Sequence, residues 1–285
     1  MPAACSAAAP LAFWPADTHV AATATPVQTP VAALVLPALG VPAGAYRRLA
    51  EALAAAGTPT GVAEWRGTGA SPVRAARDVD WGYTDLLAHE VLGGIAALRA
   101  RLVADTPVAI IGHSLGGHLG LMARAMAAPG LAGVFTVASG TPTLRFFAPK
   151  LRWLLRVVLG THRLSGPMLG YFPGHRVGFG GRQPRTLMDE WALLARLGRF
   201  EIQGRNLLAP RSEQASRIPV HSLSLPQDAY APRAATEHLL QLAGVDGSAV
   251  ERFQGARPLG HFDWLKEPGE VAQRAREVLG RWRAV

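Results

Sequence analysis

Short apolar runs alternate with amphipathic segments along most of this chain. Runs with the length and β-branched content of strands occupy residues 31–36, 108–111, 133–140, 218–225 and 250–253. Segments with helical periodicity occupy residues 46–54, 119–126, 234–242 and 268–282. This alternation predicts an α/β fold with a doubly wound, mostly parallel sheet. Residues 11–14 and 20–25 are separated by Pro15 and predict two short antiparallel edge strands.

Residues 141–215 interrupt this alternation, because no clear strand occurs in them. Residues 149–159 predict an amphipathic helix that starts with proline and ends at Gly160. Residues 170–174 predict a turn, and residues 188–197 predict a second amphipathic helix. The chain is therefore expected to have a core of residues 1–140 and 216–285, with residues 141–215 inserted as a helical cap.

The composition bounds the class of protein. The chain has 285 residues, 49% of them hydrophobic, which suits one large domain with an insertion. The single cysteine, Cys5, cannot form an internal disulfide, and no apolar run is long enough to span a bilayer. No Lys or Arg precedes Arg47, so the basic region of a secretory signal is missing. We therefore expect a cytoplasmic location.

Residues 112–116 read Gly-His-Ser-Leu-Gly, which has the G-x-S-x-G spacing. A sharp turn from a strand into a helix strains the central residue, and the flanking glycines remove side chains that would clash. Such a turn holds the hydroxyl of Ser114 at a helix N-terminus, where N–H groups favour a developing anion. The alternative is a glycine-rich strand-to-helix turn that occurs by chance.

With this turn, the chain resembles the α/β-hydrolase superfamily, and the inserted segment is similar to the helical cap of many of its members. The resemblance implies the α/β-hydrolase fold with Ser114 as nucleophile. It also implies a catalytic acid and then a histidine, in that chain order. Asp228 follows a predicted strand, and His261 lies in a loop between the last strand and the last helix. Asp263 is a rival acid, but it lies two residues from His261, too near to occupy a separate strand end.

Each of these two assignments has a structural alternative. Asp228 could cap the following helix or shape its turn, and His261 could be a surface-loop histidine. His113 and His118 flank the nucleophile, and we interpret both as packing or rim residues. Glu64 and Arg66 belong to a loop that the superfamily uses structurally, and no catalytic role is assigned to them.

The resemblance also implies an oxyanion hole made of two backbone N–H groups. One belongs to Leu115, which follows the nucleophile. The other comes from the loop after the strand at 31–36, where Pro37 has no N–H to donate. By position the amide of Leu39 is favoured, with Ala38 as the alternative. An ordinary strand-to-helix loop is the other interpretation of this segment.

The function implied by these residues is hydrolysis of a carboxylic ester or thioester through an acyl-enzyme on Ser114, with an apolar acyl substrate. An acyltransferase or thioesterase on the same triad is one alternative, and a hydrolase-like scaffold that binds without turnover is another. We expect no cofactor and no metal, because the nine histidines are scattered and no H-E-x-x-H motif or glycine-rich phosphate loop occurs.

The positive charge is concentrated in one segment. The net charge is +9, and residues 141–215 contain twelve Lys or Arg but four Asp or Glu. Three interpretations of this basic segment remain open. It could be a lid with solvated arginines, an acyl tunnel with a basic rim for an anionic head group, or a contact with an anionic membrane surface through the basic amphipathic helix. A nucleic-acid partner is not expected, because no nucleic-acid-binding motif accompanies the charge.

Overall fold

The computed structural model describes residues 10–17, 31–202 and 204–282. Within them, a seven-stranded sheet has the order β1-β3-β2-β4-β5-β10-β11. Its strands are β1 (Leu11–Trp14), β2 (Ala32–Leu36), β3 (Thr60–Ala63), β4 (Val108–His113), β5 (Leu131–Val137), β10 (Val220–Ser224) and β11 (Val250–Arg252). Strand β1 is antiparallel to β3, and every other neighbouring pair in the sheet is parallel. The predicted α/β fold is therefore confirmed.

The alternation of side chains along β4 explains why this strand is apolar throughout. Val108 and Ile110 belong to one hydrophobic cluster, and Ala109 and Ile111 belong to a second one on the opposite face. Since helices cover both faces of the sheet, neither set of side chains meets water, as is typical of parallel sheets.

Helices lie on both sides of the sheet. They are α1 (Arg47–Ala55), α2 (Tyr83–Leu86, Leu87–Leu92 and Gly93–Arg99, the middle stretch a π-helix), α3 (Leu115–Ala125), α4 (Pro149–Leu169), α5 (Arg185–Leu197), α6 (Glu213–Arg217), α7 (Arg233–Leu242) and α8 (Gly269–Leu279). Short 3-10 turns occupy Ala43–Tyr46, Leu144–Phe146, Gly174–Arg176, Gly247–Ala249 and Asp263–Leu265. Buried side chains of α1 and α8 share one cluster, and those of α2, α3 and α7 share the other. Among the described residues, no helix combines the length and the hydrophobicity needed to cross a bilayer.

The segment between β5 and β10 differs from the sequence prediction in two respects. Helix α4 does not end at Gly160 but continues to Leu169, and it stops at Gly170, whose φ is 78°. An interior glycine costs a helix about 1 kcal/mol relative to alanine, and buried His162 and Gly166 continue the inner face of α4 beyond it. The predicted turn is part of a hairpin, and short strands occur where none was expected: β6 (Tyr171–Pro173) with β7 (Arg182–Pro184), and β8 (Glu201–Ile202) with β9 (Arg205–Asn206).

This segment packs around a small hydrophobic cluster of its own. The cluster joins buried side chains of α4, β6 and α5, and consists of Phe147, Leu155, Val158, Phe172, Met188, Trp191 and Ala195. Leu187 and Leu194 of α5 point instead into a main cluster of the sheet. The division into a core and a cap stays a prediction. The edge strand at 11–14 is confirmed, while the one at 20–25 lies outside the described residues.

Candidate active site

Ser114 occupies the strained turn that its motif predicts. It lies between the end of β4 and the start of α3, with φ 52° and ψ −112°. A side chain at Gly112 would lie 2.5 Å from the carbonyl oxygen of Gly116, and one at Gly116 would lie 2.1 Å from that of Leu36. The close approach of β4, α3 and β2 therefore requires glycine at both positions.

Asp228 and His261 form a buried hydrogen-bonded pair. Nδ1 of His261 lies 2.9 Å from Oδ1 and 2.8 Å from Oδ2 of Asp228. The side chain of Asp228 is fully buried, and that of His261 is 7% exposed. Oδ1 of Asp228 also accepts the N–H groups of Tyr230 and Ala231, each at 2.8 Å. These donors stabilise the buried carboxylate, which in turn fixes the orientation of the imidazole.

Ser114 and His261 line the same cavity. Within the described residues no hydrogen bond joins the Ser114 hydroxyl to the imidazole, an arrangement common in ligand-free active sites. The rings of Tyr230 and Phe262 pack against that imidazole with centroids at 5.3 and 4.7 Å. Asp263, the rival acid, is 60% exposed and lies 3.5 Å from Lys266.

Two backbone N–H groups near Ser114 are free to bind an oxygen of a ligand. Leu115 is the first residue of α3, so its N–H has no partner within the helix. The N–H of Leu39 has no acceptor among the described residues. By contrast, the N–H of Ala38 donates to the hydroxyl of Tyr46 at 2.8 Å. Both leucines line the cavity.

The histidines on either side of Ser114 are buried. Burial and the nearby His261 hold the pKa of His113 well below its usual range, while a backbone contact with His261 opposes them. Burial also lowers the pKa of His118 to about 4, although its contact with the Gly140 carbonyl acts in the opposite direction. The Nε2 atom of His118 lies 2.9 Å from that carbonyl oxygen. Both rings are therefore neutral near pH 7, and His118 lines the cavity.

The loop that contains Glu64 and Arg66 connects neighbouring segments. Oε1 of Glu64 accepts the N–H of Ala43 at 3.1 Å and the hydroxyl of Thr68 at 2.6 Å. Nε of Arg66 lies 2.6 Å from Oε1 of Glu90, and both side chains are buried. These bonds agree with the structural role expected for the loop.

The cavity is predominantly apolar, with a volume of about 130 Å³. Its walls come from the loops after β2, β4, β5, β10 and β11, from the start of α3 and from the segment at 141–215. They consist of Ala38, Leu39, Ser114, Leu115, His118, Gly140, Pro142, Phe147, Leu155, Gly178, Phe179, Gly180, Trp191, Tyr230, His261 and Phe262. None of these residues is Lys or Arg. Among the described residues no group of three or more His, Cys, Asp or Glu could hold a metal ion.

Comparison with solved structures gives similar chains at low sequence identity. The monoacylglycerol lipase of Paleococcus ferrophilus is 18% identical with a TM-score of 0.57, and the match covers 96% of this chain and 98% of the lipase. One of the metagenome-derived lipolytic enzymes LipS and LipT is 16% identical with a TM-score of 0.61, over 95% of this chain and 97% of that one. Est1E of Butyrivibrio proteoclasticus, solved with ferulic acid, is 12% identical with a TM-score of 0.60, over 95% of each chain.

These likenesses show the fold. No curated protein matches the sequence. The profile of the Alpha/beta hydrolase family matches residues 33–274, which include most of β2, the Ser114 turn and about half of α8. Because the match covers most of the chain, this protein belongs to the alpha/beta hydrolase family.

Proposed function

We propose that this protein is a serine hydrolase that cleaves a carboxylic ester or thioester through an acyl-enzyme on Ser114. The observation that carries the proposal is the buried Asp228–His261 pair, whose imidazole borders the same cavity as the strained serine. A serine hydroxyl is a weak nucleophile near pH 7, so it needs a base, and the base needs a carboxylate to fix its tautomer.

The proposed reaction has two steps. His261 takes the hydroxyl proton of Ser114 while Oγ attacks the carbonyl carbon, and the N–H groups of Leu115 and Leu39 bind the oxyanion. The intermediate collapses, the bond to the leaving alcohol or thiol breaks, and His261 protonates that leaving group. A water molecule, deprotonated by His261, then attacks the acyl-enzyme; the bond between the acyl carbon and Oγ breaks, and His261 returns the proton to Oγ, which releases the acid and restores the serine.

The cavity supports a small, uncharged acyl group as substrate. Aromatic and aliphatic side chains form most of its wall, and no Lys or Arg lines it. Its volume of about 130 Å³ approaches the roughly 150 Å³ that holds benzene in an engineered protein cavity. We therefore propose a short acyl chain. The absence of cationic wall residues favours an uncharged substrate over one whose anionic head group lies in the cavity.

Residues 141–215 are proposed to act as the cap of this site. Their support is that α4, α5 and the β6–β7 hairpin lie outside the seven-stranded sheet and supply Leu155, Trp191 and Phe179, respectively, to the cavity wall. The core then comprises residues 1–140 and 216–285. The cytoplasmic location stays a prediction from the sequence.

The test is active-site labelling with a fluorophosphonate probe, together with hydrolysis of p-nitrophenyl acetate. We expect wild-type protein to be labelled and active, and Ser114→Ala to lose both properties while its circular dichroism spectrum is unchanged. Ser248→Ala, in a 3-10 turn far along the chain, is the matched control and should behave as wild type. Labelling that persists in Ser114→Ala would place the reactive group elsewhere and refute the proposal.

A further inference from the structure

Helix α4 exposes large apolar side chains to solvent. Trp153 is 66% exposed, Leu164 is 72% exposed and Met168 is 71% exposed. Val157, between them in the sequence, is 39% exposed. These residues follow one another at intervals of four, seven and four, so they form one stripe along the helix. We call them the outer stripe of α4.

The other face of the same helix is already packed. Leu155, Val158 and His162 are buried on the inner side, and Leu155 contributes to the cavity wall. A helix that packs on its protein needs one apolar face. The outer stripe is a second apolar face of α4, and a contiguous exposed apolar patch marks an interaction surface.

The charged side chains of α4 itself are all positive. Residues 149–169 contain no Asp or Glu. Among the described residues, Lys150, Arg156 and Arg163 have no ion-pair partner. A partner that covers the stripe must therefore be apolar at its centre and must supply anionic groups of its own.

We propose that the outer stripe of α4 docks on the surface of an anionic lipid bilayer. The apolar side chains enter the boundary between head groups and acyl chains, and the three cations contact lipid phosphates. A second copy of the chain fits less well, because a two-fold contact would bring Arg156 and Arg163 against the same cations without any acid from α4. A nucleic acid would leave the apolar stripe uncovered. Docking of the outer stripe would place the proposed hydrolase at a membrane surface. It uses residues of α4 and does not require Ser114, Asp228 or His261.

Docking would bring one wall of the cavity to the membrane. Leu155 lies on the inner face of α4, and the outer stripe lies on the face turned to solvent. A helix seated on the bilayer thus stands between lipid and cavity. Acyl esters that dissolve in the membrane would be concentrated next to this wall.

The experiment is vesicle flotation with the full chain. One set of vesicles contains equal amounts of phosphatidylcholine and phosphatidylglycerol, and the other contains phosphatidylcholine alone. We expect binding to the anionic vesicles to exceed binding to the neutral ones by about tenfold, and to fall when NaCl is raised from about 0.05 to about 0.5 M. Equal binding to the two vesicles, or no binding to either, would overturn the proposal.

Two pairs of variants separate the surface from general effects. Leu164→Asp with Met168→Asp, and separately Arg156→Gln with Arg163→Gln, should each reduce binding to anionic vesicles by about tenfold. The matched controls are Val103→Asp, at a side chain 80% exposed outside the cap, and Arg101→Gln with Arg252→Gln. They should bind as wild type, and a loss of binding in the controls equal to that in the α4 variants would count against the proposal.

Activity on soluble p-nitrophenyl acetate separates this proposal from the proposed function. It should be the same in the α4 variants and the wild type, whereas Ser114→Ala should be inactive and still bind vesicles. Size-exclusion chromatography with light scattering tests whether a second copy of the chain covers the outer stripe instead. A wild-type dimer that becomes monomeric with Leu164→Asp and Met168→Asp would assign the stripe to a second copy and would overturn membrane docking.

Discussion

The hydroxyl of Tyr46 lies 2.7 Å from Nδ1 of His113, the residue before Ser114. The same oxygen accepts the N–H of Ala38 at 2.8 Å. Burial keeps His113 neutral and raises the pKa of Tyr46 above its ordinary value, so the phenol and the imidazole share a hydrogen bond between two neutral groups. One side chain thereby connects the loop after β2 to the Ser114 turn. It also engages the N–H of Ala38, whereas the N–H of Leu39 has no acceptor among the described residues.

Replacing Tyr46 by phenylalanine removes this connection. We expect Tyr46→Phe to lower kcat by about tenfold with little change in KM, because the loop that bears Leu39 loses its anchor and an oxyanion donor is displaced. The buried N–H of Ala38 also loses its acceptor, which costs about 1–3 kcal/mol of stability. Steady-state kinetics on p-nitrophenyl acetate and urea unfolding measure the two effects.

The matched control is Tyr83→Phe. This buried tyrosine has its hydroxyl 3.3 Å from Nδ1 of His118, away from the loop after β2. The Tyr83→Phe variant should be less stable than the wild type but keep kcat close to the wild-type value. If both variants lose kcat equally, the effect reflects general destabilisation, and the connection through Tyr46 has no special role.

Asp228→Asn tests the proposed acid. The amide retains an oxygen for the N–H groups of Tyr230 and Ala231 but places no negative charge beside His261. We expect kcat to fall by about 10³- to 10⁴-fold, the loss seen when a triad carboxylate becomes an amide. Asp263→Asn is the control, because its exposed carboxylate lies two residues after the histidine and faces Lys266. A large loss in the control instead would reverse the assignment of the acid.

The sheet could be predicted from the sequence because its strands are buried on both faces and are therefore apolar along their whole length. The turn at Ser114 was predictable for a related reason: Gly112 and Gly116 are required by local backbone contacts that the motif itself encodes. The order of Ser114, Asp228 and His261 along the chain follows from the order of the strands. Local sequence patterns and the family resemblance were therefore sufficient to predict these features.

The segment at 141–215 was predicted less well, because its strands are short and its structure depends on tertiary contacts. Gly160 is a typical helix-ending residue, yet the buried face of α4 continues past it. Strands β6 and β7 have three residues each, too few to show a period. The role of Tyr46 was also missed. In the sequence it belongs to an amphipathic segment, and its two hydrogen bonds join residues 8 and 67 positions away.

Phe179 is expected to limit the length of the acyl chain. It borders the cavity, and its ring lies 5.5 Å from that of Trp191 in α5. Wild-type protein should hydrolyse p-nitrophenyl acetate and butyrate faster than the octanoate, whereas Phe179→Ala should move the optimum to chains longer by about two to four carbons, since each methylene contributes about 1–3 kcal/mol in an apolar pocket. A series of p-nitrophenyl esters measures kcat/KM.

Phe146→Ala is the control for that series. Its ring packs on Arg145 and His238 and does not line the cavity. The Phe146→Ala variant should prefer the same acyl chain length as the wild type. An unchanged optimum in Phe179→Ala would mean that the acyl chain lies along another wall.

We expect Glu190 to make the contact between α5 and α2 sensitive to pH. Its Oε2 accepts the N–H of Tyr83 at the start of α2, at 2.7 Å. The pKa of this carboxyl is raised to about 7, chiefly by burial and also by the neighbouring Asp85, Asp80 and Asp189, while the bond from Tyr83 acts in the opposite direction. The folded protein thus retains a proton that the unfolded chain releases near pH 4.5.

Stability should consequently fall as pH rises from about 4.5 to about 7, because in this range the folded state binds more protons than the unfolded state. Glu190→Gln keeps an acceptor for Tyr83 and removes the titration, so its stability relative to wild type should increase over the same range. Partial exposure of Glu190 screens the effect, which we expect to be about 1 kcal/mol. Urea unfolding of both proteins at pH 5 and pH 8 measures it, with Glu267→Gln, at a carboxylate whose side chain is 71% exposed, as the control. If the free energies of unfolding of wild type and Glu190→Gln differ by the same amount at both pH values, Glu190 does not titrate in this range.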